Sequence, residues 1–423
     1  MKNLSISIAT ILLSCSANAA APLNLNTSWN TVFGGEGMDS FSDVISTPDG
    51  GSIVAGSIYS SEGDIDAEQR KSRQDAIIVK YDPLGNVEWQ KIYGGSGDER
   101  FLSLDQLADG TYVVAGLSNS YDGDLDNDNL DQKDTGVVVG FDIEGNILWS
   151  ANDYSSVNGY ENYIINATSD GGFAVSGISV NGDSFIFLKK YDVTRSVEWE
   201  VNYPKTQIFS LESMIATNDD GFALSGSVFG ADLDGVLLKT DATGAVIWDY
   251  TYSTLSLDEF FEVIQTTEGS FVVTGVEGGT TAYPERPHVP FAAKVDANGN
   301  QVWRTNFSST GLPAGDFTND YTNVVELDTG ELAFAGHAYS FVINPDEELG
   351  VSDGLLAILD KDGNELSQQI FGGTSFDMFD SIEQTTDGSI LAAGYTEGTS
   401  GDITDIVNGD RDGLLVKFAS PQQ

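Results

Sequence analysis

Ser28-Trp29-Asn30-Thr31-Val32-Phe33-Gly34-Gly35 reads as a short β-strand with no partner strand before it. Its cadence returns at Trp89-Gln90-Lys91-Ile92-Tyr93-Gly94-Gly95. Further copies carry a Gly four residues before the Trp: Gly85/Trp89, Gly145/Trp149, Gly244/Trp248 and Gly299/Trp303. Downstream of the copies, a β-like run leads to an Asp-Gly turn, as in Asp49-Gly50-Gly51, Asp109-Gly110, Asp170-Gly171-Gly172 and Asp387-Gly388. Gly accepts a positive φ and Asp bonds its own backbone two residues on, so such dipeptides between period-2 runs mark tight hairpins.

Each unit resolves into four strands, A to D. Strand A is expected over 41–47, 101–107, 162–168, 211–217, 260–266, 321–327 and 379–385. Strand B ends at Gly56, Gly116, Gly177, Gly226, Gly275, Gly336 and Gly394. Strand C is a β-branched run that leads into Asp82, Asp142, Asp192, Asp241, Asp296 or Asp360, and strand D carries the Trp. The last C strand, 412–418, is followed only by Ala419-Ser420-Pro421-Gln422-Gln423, so that unit lacks a D strand. The orphan at Trp29 supplies it. A period of roughly 50–60 residues built from four short strands is the mark of a propeller blade. The expected fold is therefore all-β, a seven-bladed β-propeller of four-stranded antiparallel blades, closed by the N-terminal strand. Ser367 stands where the sixth unit should have Trp, and that blade is expected to be the least well fastened.

The chain has 423 residues, and the repeat spans nearly all of them. We assign 1–20 to a signal peptide and 21–423 to the propeller domain. Met1-Lys2-Asn3, the apolar run 4–13 and Ala17-Asn18-Ala19 give the positive start, short apolar core and A-x-A site of a secretory leader. The run is too short to span a membrane, and no later segment qualifies. The only Cys, Cys15, follows Leu12-Leu13-Ser14 and also fits a bacterial lipobox, so ordinary cleavage and lipid anchoring at Cys15 are both open. Either route exports the protein, to the periplasm, the exterior or the outer membrane. The mature domain then has no disulfide. Asp and Glu total 65 against 19 Lys and Arg, a net charge of −46, which repels nucleic acid and anionic membranes.

In an antiparallel blade the A–B and C–D turns lie on one face, and the B–C and D–A loops on the other. The first set is short and uniform. The B–C loops vary: they are long in blades 5, 6, 7, 1 and 2 and short in blades 3 and 4. Loops on a rigid scaffold carry function, so a binding site is expected on this long-loop face, with a low wall at blades 3 and 4. The blade 2 loop, Asp122-Gly123-Asp124-Leu125-Asp126-Asn127-Asp128, alternates carboxylates. Asp122, Asp124, Asp126 and Asp128 offer hard oxygens to Ca²⁺, although the EF-hand pattern fails at Asn127 and Lys133. The competing reading is a solvated loop with Asx turns. Strand A also brings Asp43, Asp105, Glu262, Glu326 and Glu383 toward the expected central channel, as a carboxylate ring or a wet lining. His288 and His337 are the only histidines and lack zinc spacing, and there is no Gly-x-Ser-x-Gly elbow, dinucleotide fingerprint or phosphate loop. No catalytic residue and no organic cofactor site is assigned.

The Trp-x-x-x-(Phe/Tyr)-Gly-Gly, Asp-Gly-Gly and Lys-x-Asp-x-x-Gly-Asn cadence, over about 28–418, resembles secreted bacterial seven-bladed propeller-repeat proteins, some of them lipoproteins. Asp241-Ala242-Thr243-Gly244-Ala245-Val246-Ile247-Trp248 is similar to the tryptophan-docking motif of quinoprotein dehydrogenases and of the outer-membrane assembly lipoprotein propeller. Those usually have eight blades, and the dehydrogenases often carry an adjacent Cys pair that this chain lacks. The resemblance therefore does not extend to pyrroloquinoline quinone. The expected function is a non-enzymatic exported propeller that binds a glycan or protein ligand on its long-loop face, with Ca²⁺ as a candidate helper. The alternatives are an exported glycan-active enzyme using loop or channel carboxylates, and a lipid-anchored envelope scaffold.

Overall fold

The computed structural model describes residues 25–124, 135–156, 163–179, 185–230, 232–254, 257–278, 289–307, 317–340 and 352–421. These residues form 28 strands and no helix, in seven four-stranded antiparallel sheets. β1 (Thr27–Phe33) stands first. Blade 1 is β2 (Ser40–Ser46), β3 (Ser52–Ile58), β4 (Asp75–Tyr81) and β5 (Val87–Tyr93). Blade 2 is β6 (Glu99–Gln106), β7 (Tyr112–Ser118), β8 (Thr135–Phe141) and β9 (Ile147–Ser156). Blade 3 is β10 (Ile164–Ala167), β11 (Phe173–Ser179), β12 (Phe185–Tyr191) and β13 (Val197–Pro204). Blade 4 is β14 (Ser210–Ala216), β15 (Phe222–Phe229), β16 (Leu233–Thr240) and β17 (Val246–Tyr252). Blade 5 is β18 (Asp258–Gln265), β19 (Phe271–Glu277), β20 (Val289–Val295) and β21 (Gln301–Asn306). Blade 6 is β22 (Phe317–Glu326), β23 (Leu332–Ser340), β24 (Ser352–Leu359) and β25 (Glu365–Phe371). Blade 7 is β26 (Asp377–Gln384), β27 (Ile390–Thr396) and β28 (Asp412–Phe418), and β1 adds to β28 as its fourth strand.

The ring closes as the strand count requires. β1 runs antiparallel to β28, with Thr31 opposite Leu415, and the Ala419 amide donates to the Asn26 carbonyl at 2.8 Å. The core is a series of clusters, each filling the wedge between neighbouring blades. Phe33, Leu391 and Leu415 of blade 7 meet Phe41, Val54 and Ile77 of blade 1 in one of them. The middle strands face a neighbour on both sides, so β3 and β4 are buried along their whole length and read as continuous apolar runs. The outer β5 is buried at one end only.

The repeated turn residues have local work. Asp49 Oδ1 accepts from the Gly51 amide at 3.0 Å and the Thr47 hydroxyl at 2.5 Å, while Gly50 takes φ +84°. Asp82 Oδ1 accepts from the Leu84 and Asn86 amides at 2.8 and 2.9 Å, and Gly85 takes φ +83°. A Lys at the end of strand C reaches under the A–B turn to its acid: Lys80 to Asp49, Lys190 to Asp170, Lys239 to Asp219, Lys294 to Glu268 and Lys417 to Asp387.

Each of five Trp residues lies against the C–D turn Gly of the next blade: Trp29 on Gly85, Trp89 on Gly145, Trp199 on Gly244, Trp248 on Gly299 and Trp303 on Gly363. The indole N–H groups of Trp248 and Trp303 donate into those turns, to Ala297 and Lys361 carbonyls at 3.1 Å each. Ser367 now has a physical reason. The blade after it is blade 7, whose C and D strands are the two ends of the chain, so no C–D turn exists there to receive a Trp.

Candidate functional site

Two regions gather functional side chains: the central channel and the long-loop face. The inner strands of adjacent blades do not pair with one another, so their inward amides need other acceptors. Side chains of the neighbouring blade supply them. Asp43 accepts from the Leu104 amide at 2.8 Å, Asp105 from the Ala167 amide at 2.7 Å and Asn166 from the Ala216 amide at 2.7 Å. Glu262 accepts from the Val324 amide. Glu383 accepts from the Ser46 hydroxyl at 3.2 Å. The channel encloses about 500 Å³ and is lined by Asp43, Asp105, Glu262 and Glu383, as expected from the sequence. Glu326 is not among the lining residues; it turns to the blade 5 turn and accepts from the Thr267 amide at 2.6 Å. Glu212 and Asp380 also line the channel. The sequence reading missed these two, although each sits one residue after the apolar residue that opens strand A.

The channel carboxylates are half-buried and walled by protein, so each keeps only part of the hydration it would have in bulk water. Burial pushes Asp43 up to about 7 against its hydrogen bonds, Glu262 to about 8, Glu383 to about 7 and Asp380 to about 6. Burial also raises Asp105. The carboxylates thus tie the blades together, and burial favours their protonated form.

On the long-loop face a Gly-Asp motif repeats in blades 1, 2 and 7. Gly63, Gly123 and Gly401 take φ +77°, +80° and +59°. The amides of Asp64, Asp124 and Asp402 then donate to Gly34, Gly94 and Gly372 carbonyls, each at 2.9 Å. Their carboxylates accept from the amides of the same three glycines at 3.1 to 3.2 Å. Of the Ca²⁺ candidates, Asp124 is therefore engaged by the Gly94 amide, and Lys71 pairs with it. Asp122 accepts from the Ser96 amide at 2.6 Å. Asp126 and Asp128 lie outside the described residues. Among the described residues no three acidic, His or Cys side chains are grouped to hold a metal.

Parts of the long loops fold back on their own blades. Arg70 in the blade 1 loop is buried and pairs with Asp75 at 2.6 Å while donating to the Ile58 carbonyl at 3.1 Å. Gln69 accepts from the Ile92 amide at 3.1 Å, and Asp405 of the blade 7 loop accepts from the Val32 amide at 3.2 Å. These contacts cover outer strand edges that would otherwise invite pairing with another chain. Buried acids at the start of strand A, missed in the sequence, complete the scaffold: Asp39, Glu99 and Asp377 accept from Gly35, Gly95 and Gly373 amides at 2.9, 2.9 and 2.8 Å. Their signal was an acid two residues before the opening aromatic.

At the low wall, Phe209 and Phe229 meet edge to face with centroids 4.3 Å apart, and Lys205 stands 4.7 Å from the Phe209 ring. Phe229 is 58% exposed. Met38, Tyr121 and Ile406 are also exposed on this face. His337 Nε2 lies 3.7 Å from Asp320, and burial lowers the imidazole pKa. His288 is outside the described residues, as are 1–24 with Cys15. No helix among the described residues is long and apolar enough to cross a membrane.

No family model matches the chain, and no curated protein matches it. Among solved structures, the chain is similar to a protein of unknown function from Dyadobacter fermentans, at 12% identity over 93% of this chain and 98% of that one, with a TM-score of 0.49. It is similar to a europium-containing methanol dehydrogenase at 12% identity, covering 93% of each chain, with a TM-score of 0.46. It is also similar to a periplasmic gluconolactonase from Pseudomonas aeruginosa at 13% identity, over 80% of this chain and 87% of that one, with a TM-score of 0.45. Likenesses this distant carry no argument about ligand or activity.

Proposed function

We propose that this chain is an exported, non-enzymatic β-propeller that binds a glycan or protein ligand on its long-loop face. The observation that carries the reading is the exposed Phe229 ring, backed by the half-buried Phe209 with Lys205 beside it, at the low wall between the long loops. An exposed ring backed by a second ring offers apolar area at little entropic cost, and the adjacent cation adds a polar contact. Channel carboxylates with raised pKa favour the glycan-active enzyme as second reading. It is weaker, because the oxygens of Asp43 and Glu262 are already held by backbone amides of the next blade. Ca²⁺ enters at Asp122, Asp124, Asp126 and Asp128, where binding would compete with Lys71 for Asp124. The leader and Cys15 make export, with or without a lipid anchor, part of the proposal.

Hydroxyl-radical footprinting of the chain with candidate polysaccharides and envelope proteins tests it. Protection is expected at Met38, Tyr121, Phe209 and Phe229. Protection confined to Leu84 and Val302, on the tight-turn face, would contradict it.

A further inference from the structure

The repeat departs from its own pattern twice at one boundary, between blades 2 and 3. Lys80, Lys190, Lys239, Lys294 and Lys417 each stand opposite the Trp of strand D, but Trp149 stands opposite Gly140. The turn residue that receives a Trp is elsewhere Gly; at the start of blade 3's C–D hairpin it is Arg195, held at φ +67°. A left-handed conformation is one that residues with a Cβ rarely adopt, because it strains the backbone. The two departures compensate each other. With a side chain at 195, the indole cannot lie on the turn, and without a Lys at 140 it has space to lie against that glycine's Cα instead.

The outcome is a different aromatic geometry. Trp199 and Trp248 meet Phe222 and Phe271 edge to face, at 76° and 71°. Trp149 stacks on Phe173 at 16°, and Phe173 stacks on Tyr191 at 17°. The Arg195 guanidinium stands 5.2 Å from the Trp149 ring centre. Two cavities, of about 210 and 180 Å³, flank Trp149 and Arg195. Leu148 and Val193, which line the second of them, are 51% and 65% exposed.

We propose that this cleft binds one pyranose ring of a neutral glycan. A flat indole backed by a second ring suits the C–H face of a sugar. Arg195, an exposed planar donor, shifts to the ring's edge and meets its hydroxyls, with the Asp192 carboxylate as acceptor beside it. Charge disfavours an acidic sugar, because Asp109, Asp192 and the net charge of −46 oppose an anion, and the cation position over the indole is already held by Arg195. The cleft lies on the rim at the tight-turn side, so it is independent of the ligand proposed for the long-loop face.

Affinity gel electrophoresis of the full chain with hydroxyethyl cellulose, xylan, galactomannan and a mixed-linkage β-glucan tests the site. At least one polymer is expected to retard the protein. Arg195→Gly, which restores the repeat residue and removes the left-handed strain, should melt no lower than the parent and bind roughly tenfold more weakly; Trp149→Ala should lose binding to a similar degree while melting lower, because it also removes packing on Phe173. Leu84→Ser, in the exposed C–D turn of blade 1 and outside both proposed sites, should bind as the parent does. Retardation by none of the polymers overturns the proposal. So does retardation that survives Arg195→Gly, or a concentration-dependent dimer that Arg195→Gly abolishes.

Discussion

Trp303 of blade 5 lies flat on Gly363 of blade 6, where a methyl group on the glycine would meet the indole at 2.7 Å. The contact joins two blades through one aromatic face and one missing side chain. Trp303→Ala is expected to lower stability by about 3 kcal/mol. Gly363→Ala, which both clashes and strains φ +84°, should cost about 1–3 kcal/mol. Chemical denaturation of the two variants measures both.

Ser367→Trp should not stabilise the ring, although it completes the repeat. Blade 7 has chain ends where the receiving turn would be. A melting temperature clearly above the parent's would mean that another surface receives the indole.

Stability should fall as pH rises from about 4 to 8. Asp43, Glu262 and Glu383 have folded pKa values of about 7, 8 and 7, above those of the unfolded chain, so the folded ring keeps protons that the unfolded chain has released. This stabilisation is fully present below the unfolded values and is gone above about pH 8. The opposite sign applies at the turns. Burial works to raise Asp49 and Asp170, but hydrogen bonds and the Lys80 and Lys190 ammonium groups outweigh it and hold both at about 2. Their contribution is present above about pH 4 and lost as pH falls toward 2. The melting temperature should therefore peak near pH 4–5 and drop by on the order of 5–10 °C by pH 8. The triple variant Asp43→Asn, Glu262→Gln, Glu383→Gln should flatten that slope.

Arg70→Met should cost about 3–5 kcal/mol, because it leaves Asp75 buried beside Glu99 without its cation. Limited proteolysis should then cut the chain between 59 and 74, which the parent resists.

Much of the ring was legible in the residues. Asp82, Gly85 and Trp89 recur at fixed spacing because each serves a local turn or a contact with the next blade, and such contacts repeat with the sequence. The orphan strand at Trp29 was legible for the same reason. The channel was legible in part: Asp43, Asp105, Glu262 and Glu383 were placed, whereas Glu326 turned away, since one residue along a strand reverses the side it faces. The Phe209/Phe229 pair left no signal, because it brings together residues from separate loops. The Trp149 cleft was written as two exceptions, Gly140 and Arg195, whose connection appears only when the two strands are set side by side.

The central claim is that β1 completes blade 7. Hydrogen exchange of the peptide 27–33 tests it most directly. Protection equal to that of the other outer strands, such as β5, is expected, confined to the amides bonded to β28 and lost only on global unfolding. Exchange of that peptide within seconds, while the rest of the ring stays protected, would contradict it.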